Sequence, residues 1–245
     1  MLINVQLTSV ALPVLDLSPI VVSTSNPDRP SGLRAGQTLR LLDGGELGEN
    51  FDVVSATLEL EGGSLGSSAT AYNSTVNISG GSLGELFRAL SSVVNISDGD
   101  IGINFNAGEG SEVNISGGTV GASFGAGPNS VVTISGGDIG DDFSATNNSV
   151  VNISGGNIGA DFDADGEVNI SGGNFGRVFS ARGGSEVNIS GGNFGRDFNT
   201  RDGSDVELIG GEFQLNGEPF SGSTITLGLN DFLTGTLADL SLIHI

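Results

Sequence analysis

Five aspartates, Asp141, Asp142, Asp161, Asp163 and Asp165, form the densest carboxylate group in the chain. Carboxylates held in a cleft beside Arg or Lys do general acid and base work in enzymes that cleave polysaccharides. Two nearby strings, Gly136 to Asp142 and Gly191 to Asp197, come close to a calcium-binding nonapeptide, Gly-Gly-x-Gly-x-Asp. Each carries one residue too many before its third glycine. Stacked calcium needs oxygen ligands in adjacent repeats, and the aspartate position is taken by Leu86, Ser123 and Val178 elsewhere. A third pattern is neutral. Asn77, Asn95, Asn114, Asn152, Asn169 and Asn188 each open the tripeptide Asn-Ile-Ser, with Thr133 where a seventh would stand. Such a column can bond to itself as an amide ladder, or offer a regular polar face to a polysaccharide or another repetitive surface. Each tripeptide is also a formal glycosylation sequon, but six glycans on one face ~4.8 Å apart do not fit.

These residues recur because the phrase around them recurs. Val-Asn-Ile-Ser-Gly-Gly or a near copy returns every 17–19 residues. The first glycines, or their equivalents, are Gly44, Gly62, Gly80, Asp98, Gly117, Gly136, Gly155, Gly172, Gly191 and Gly210, which makes ten coils. Four positions before this marker the chain holds Val from Val76 to Val206, and two before it Ile or Leu from Leu60 to Leu208. Three after it stand Leu47 through Phe213. Seven after it stand Phe51, Phe87, Phe105, Phe124, Phe143, Phe162, Phe179 and Phe198, with Ala69 the gap, and nine after it a small column, mostly Ala. Val-x-Ile and Phe-x-Ala are strand alternations whose apolar members face one way, and the Val and Ile columns are β-branched, as strands prefer. No apolar set has a period of 3.6, so a helical repeat is excluded.

A unit this short cannot bury its apolar residues alone and must stack on its neighbours. The expectation is an all-β chain, a right-handed parallel β-helix of about ten coils, stacked ~4.8 Å apart around an internal phenylalanine ladder. A left-handed β-helix is built from three near-equal hexapeptides, and the inward columns here do not fall on a six-residue grid. A leucine-rich repeat lacks its pattern.

The chain has 245 residues, no cysteine, eight Arg, no Lys and 29 acidic residues, for a net charge of −21. The absence of cysteine removes disulfides and thiolate metal sites. The charge repels nucleic acid and anionic membranes, and no 18-residue apolar run predicts membrane insertion. Residues 1–36 read as an N-terminal cap or preceding β segment with a loop, 37–213 as β-helix repeats, and 214–239 as a closing β segment with a strand near 224–227. The hexapeptide 240–245 has no repeat register and resembles adaptor read-through. It is expected to be non-native and unpaired, leaving a fragment without its secretion signal and prone to end-to-end self-association.

The string Gly-Ser-Glu-Val-Asn-Ile-Ser-Gly-Gly-Asn-Phe-Gly-Arg-Asp-Phe at 184–198 resembles the tandem repeats of very large secreted or surface proteins of planctomycetes and other environmental bacteria. So do Gly222 to Leu227 and Leu233 to Ala238. The resemblance covers roughly residues 37–239. It implies a right-handed β-helix in an exported, cell-envelope-associated protein with no enzymatic activity and no cofactor.

Coil lengths vary by two residues, so no long loop is present to wall a catalytic cleft. The expected function is therefore a non-enzymatic scaffold, a spacer or adhesive stalk of a larger cell-surface protein. Its partners would be polysaccharide or cell-envelope components. The alternatives are a carbohydrate-binding face on the asparagine column and a polysaccharide lyase or hydrolase at the aspartate group.

Overall fold

The computed structural model describes residues 18–26, 29–221, 233–239 and 241–244. Among them there is no helix, and the chain winds as the expected right-handed parallel β-helix of about ten turns.

Each coil follows one path. A strand carrying Val-Asn-Ile runs to the Gly-Gly bend and continues for two more residues beyond it, as in Thr75–Leu83. A corner follows, then a short strand ending near the Ala position, such as Arg88–Leu90. The first strands stack in parallel and in register: Val94 lies beside Val76 and Val113, Ile96 beside Ile78 and Ile115. The short strands stack into a second, ten-stranded parallel sheet. Alternation puts Val, Ile and Ala inside; Val76, Val94, Val113, Ala89 and Ala107 are all fully buried.

One corner is set by a backbone conformation. The residue just before each ladder phenylalanine, or before Ala69 in its gap, is left-handed: Asn50, Ser68, Leu86, Asn104, Ser123, Asp142, Asp161, Val178 and Asp197 have φ between 56° and 69°. Asn and Asp adopt this region readily, and a β-branched residue does so under strain. The third corner is held by serines that sequence reading passed over. Ser92, Ser111, Ser130, Ser149 and Ser185 are buried. Ser130 and Ser185 each donate their hydroxyl to a carbonyl three residues back, that of Gly127 (2.6 Å) and Arg182 (2.7 Å). A buried hydroxyl without such a partner would be costly.

The phenylalanine ladder is buried from Phe87 to Phe179, and its last ring, Phe198, is half-buried. Phe105, Phe124, Phe143 and Phe162 stack with centroids 4.6–4.9 Å apart. Phe51 is buried but separated from the ladder by Ala69, the gap in the column.

The array begins before residue 37. Ile20–Val22 pairs in parallel with Thr38–Leu41, and Gly32–Leu33 with Asp52–Val54, so the segment read as a loop contributes a strand and a fully buried Leu33. At the other end, Gly210 and Gly211 do not form a tenth bend. They open the strand Gly210–Leu215 of a separate four-stranded antiparallel sheet. In place of that bend stands Asp239. Its carboxylate accepts from the Gly192 N–H (2.9 Å), and its own N–H donates to the Ser190 carbonyl (3.1 Å). A Cβ at Gly191 would lie 2.4 Å from that carboxylate, so only glycine admits it. The expectation that 240–245 is unpaired is corrected: Leu242–His244 pairs antiparallel with Leu233–Leu237. Backbone hydrogen bonding to an edge decides this, a signal the repeat register does not carry. The strand expected at 224–227 lies outside the described residues.

Candidate functional site

The asparagine column stands on the outer face between two buried columns, because period-two alternation leaves no other place for it. In the structure it is a ladder. The Nδ2 of Asn95 donates to Asn77 Oδ1 (2.8 Å), and that of Asn114 to Asn95 Oδ1 (3.0 Å). Asn169 donates to Asn152 (3.1 Å) and Asn188 to Asn169 (2.9 Å). Every rung but Asn152, which follows the Thr133 break, points its donor toward the preceding coil. The first rung, Asn77, donates to the Glu59 carboxylate (2.9 Å), an acceptor with no proton to give in return. Asn114 and Asn169 spend a second N–H on Glu112 and Glu167 of their own coils.

A second ladder beyond the Gly-Gly bend escaped sequence reading. Asn157 donates to Asp138 (2.7 Å), Asn174 to Asn157 (2.9 Å) and Asn193 to Asn174 (3.0 Å). It too starts at a carboxylate. The signal was there, since Asp138, Asn157, Asn174 and Asn193 share one position of the repeat.

The first ladder breaks at Thr133. Thr133 pairs in register with Asn114 on one side and Asn152 on the other, but its side chain is too short to bridge them. A shallow recess of about 280 Å³ starts at this break and runs across the following coils to Ile209. Most serines beside the ladder donate to a carbonyl of the preceding coil, as Ser135 does to Ile115 (3.4 Å) and Ser190 to Ile170 (3.3 Å).

The five aspartates are brought near one another along two edges without converging. Asp163 and Asp165 lie on or just after the short strand Phe162–Ala164, and both face Arg182. Asp163 bonds its Nη2, and Asp165 lies 3.8 Å from its Nε. The hydrogen bond to Asp163 and the two nearby carboxylates hold the guanidinium pKa above its ordinary value against a smaller opposing effect of burial. Asp141 accepts from the Ala160 backbone N–H (2.7 Å). Asp142 and Asp161 are the left-handed corner residues of their coils. The aspartate slot of the calcium-like strings is that corner, where left-handed backbone favours Asp and Asn; Leu86 and Val178 hold the same conformation with no carboxylate. Among the described residues no three carboxylate or imidazole groups are placed to hold a metal ion together.

A further ion pair stands on the asparagine face near its start. Arg40 grips Glu61 through two bonds, 2.7 and 2.8 Å. The hydrogen bond to Arg40 lowers the Glu61 pKa, and burial opposes it weakly.

Comparison with protein-family models, with curated proteins and with solved structures finds no match to this chain in any of the three.

Proposed function

We infer that the chain is a non-enzymatic rod, a structural spacer or stalk within a larger exported protein. The observation that carries this reading is the uniformity of the coil. Side-chain ladders, buried serines and corner residues repeat with almost no insertion, so binding energy between coils is spread along the axis and, among the described residues, no loop stands out to form a cleft. The acidic group supports it as well: its members are engaged with Arg182 and backbone amides or set at corners, and an acid and base aimed at one bond would have to face each other. Export to the cell surface rests on the resemblance of the repeats, and an acidic surface suits a protein that must stay soluble while extended.

The test is to insert one further copy of residues 132–150 after residue 150. A spacer accepts it: scattering should show the rod longer by ~4.8 Å, with melting unchanged or raised. Release of reducing ends or unsaturated sugars from a panel of neutral and acidic polysaccharides by the purified chain would overturn the reading in favour of an enzyme.

A further inference from the structure

The break in the asparagine ladder leaves hydrogen-bonding groups unspent at one place. Asn114 Oδ1 accepts nothing, Asn152 Nδ2 donates nothing, and the Thr133 and Ser154 hydroxyls have no partner among the described residues. Elsewhere in the two columns most of these groups are used. Thr133 and Asn152 are half-buried, and with Ser154 they line the recess. The rungs on either side are held by their ladder bonds, so these groups are already oriented and a ligand need not order them.

Charge narrows the ligand. The chain carries −21, yet from Asn77 to Ser190 the two outward columns, Asn or Thr and Ser, contain no charged residue. A polyanion gains nothing there and meets repulsion from the rest of the rod, and a cation finds no carboxylate in the recess. Unused donors and acceptors side by side, on a shallow surface whose two columns are neutral, with the Glu112 and Glu167 carboxylates only at its edge, and which continues in steps of ~4.8 Å along the axis, suit the hydroxyls of an extended uncharged polysaccharide.

We propose that the gap at Thr133 is a binding subsite for an uncharged polysaccharide strand lying along the rod, with Asn114, Thr133, Asn152 and Ser154 as its hydrogen-bonding groups. This holds whether or not the rod serves as a spacer. Three substitutions separate the site from the fold. Thr133→Asn supplies the missing rung, closes the gap and raises the melting temperature by about 2 °C. Thr133→Val keeps the gap and removes one hydroxyl. Ser154→Ala removes the other.

The experiment is affinity electrophoresis through gels containing galactomannan, mixed-linkage β-glucan or hydroxyethyl cellulose, with polygalacturonate as the charged control. The wild-type chain should be retarded by at least one neutral polymer and not by polygalacturonate. Thr133→Asn should weaken that binding at least fivefold while melting higher, and Thr133→Val and Ser154→Ala should weaken it at least twofold. No retardation by any neutral polymer, equal retardation by polygalacturonate, or unchanged binding by Thr133→Asn would each overturn the proposal.

Discussion

The Phe179 ring stands edge-on to the Phe162 ring, 5.1 Å away and at 88°, although both belong to the same ladder. The parallel series has changed column. From Phe162 it passes to Phe175, at 7°, and on to Phe194, at 5°, both of which occupy the position held by Ile139 and Ile158 in earlier coils. Phe179 and Phe198 then stack on each other, at right angles to that series. Two ring columns side by side gain from edge-to-face contact between them.

Phe175→Ile together with Phe194→Ile removes the two rings that meet Phe179 edge-on. Phe179 should then lie parallel to Phe162, like the rungs below it. A crystal structure of the variant checks this, and an unchanged right angle would mean that the corner at Val178 sets the ring instead.

Phe143 lies between Phe124 and Phe162, with centroids 4.9 and 4.6 Å away. Phe143→Ala should cost ~3–5 kcal/mol through lost contact and a cavity the rigid neighbours cannot fill. Chemical denaturation measures it, and a variant as stable as the wild type would contradict the inward placement of the column.

Val178 holds φ at 64°, a region that costs a β-branched residue of the order of 1–3 kcal/mol. Val178→Asn should stabilise the rod by ~1 kcal/mol, because Asn tolerates that conformation. A loss of stability would show that the half-buried valine contributes more by packing than it costs in strain.

Asn95 both accepts from Asn114 and donates to Asn77. Asn95→Asp removes the donor and sets a carboxylate against the Asn77 carbonyl oxygen, for a cost of ~1–3 kcal/mol at neutral pH. Acidification should recover part of it as the new carboxyl gains a proton to donate. Parallel melts of variant and wild type across pH would reveal whether the gap narrows.

Burial works to raise the Asp239 pKa, but bonds from the Ser241 hydroxyl and from the Ser241 and Gly192 amides outweigh it and hold it below the ordinary 3.8. A group depressed on folding stabilises fully above its unfolded value and loses that contribution as pH falls through its folded value. Asp239 should therefore help hold the terminal sheet at neutral pH and stop doing so under strong acid. Asp239→Asn should melt lower than wild type at pH 7, with the difference shrinking below about pH 4. A difference that stays constant across that range would show that the carboxylate charge plays no part.

The columns made most of the fold legible. Val76, Ile78, Phe87 and Ala89 announce two strands and a core by spacing alone, and stacking follows from the period. What stayed hidden depends on groups without a hydropathy signal. The buried serines at 92, 130 and 149 look like surface residues until their hydroxyls are seen on nearby carbonyls. The corner at Asp142 and Asp161 looked like a ligand slot because the same residue types serve left-handed backbone and metal binding. Gly210-Gly211 kept the letters of a bend while the chain left the stack, since the partner that replaces it, Asp239, is remote in sequence. On the asparagine face the column was legible, but the unspent groups around Thr133 were not. Their meaning depends on which atoms neighbouring coils have already used.

Both amide ladders start at a carboxylate, Glu59 or Asp138, and hand each donor back to the coil before it. Many backbone bonds between coils run the same way, as from Ser116 N–H to the Ile96 carbonyl. Along the side-chain ladders the order of acceptors is therefore the order of synthesis, whereas corner amides run the other way, as from Asn104 N–H to the Ala122 carbonyl. As the chain leaves the ribosome, amino end first, each new turn brings its ladder amides to acceptors already in place, and itself supplies the carbonyls that the corner amides of the turn before it still lack.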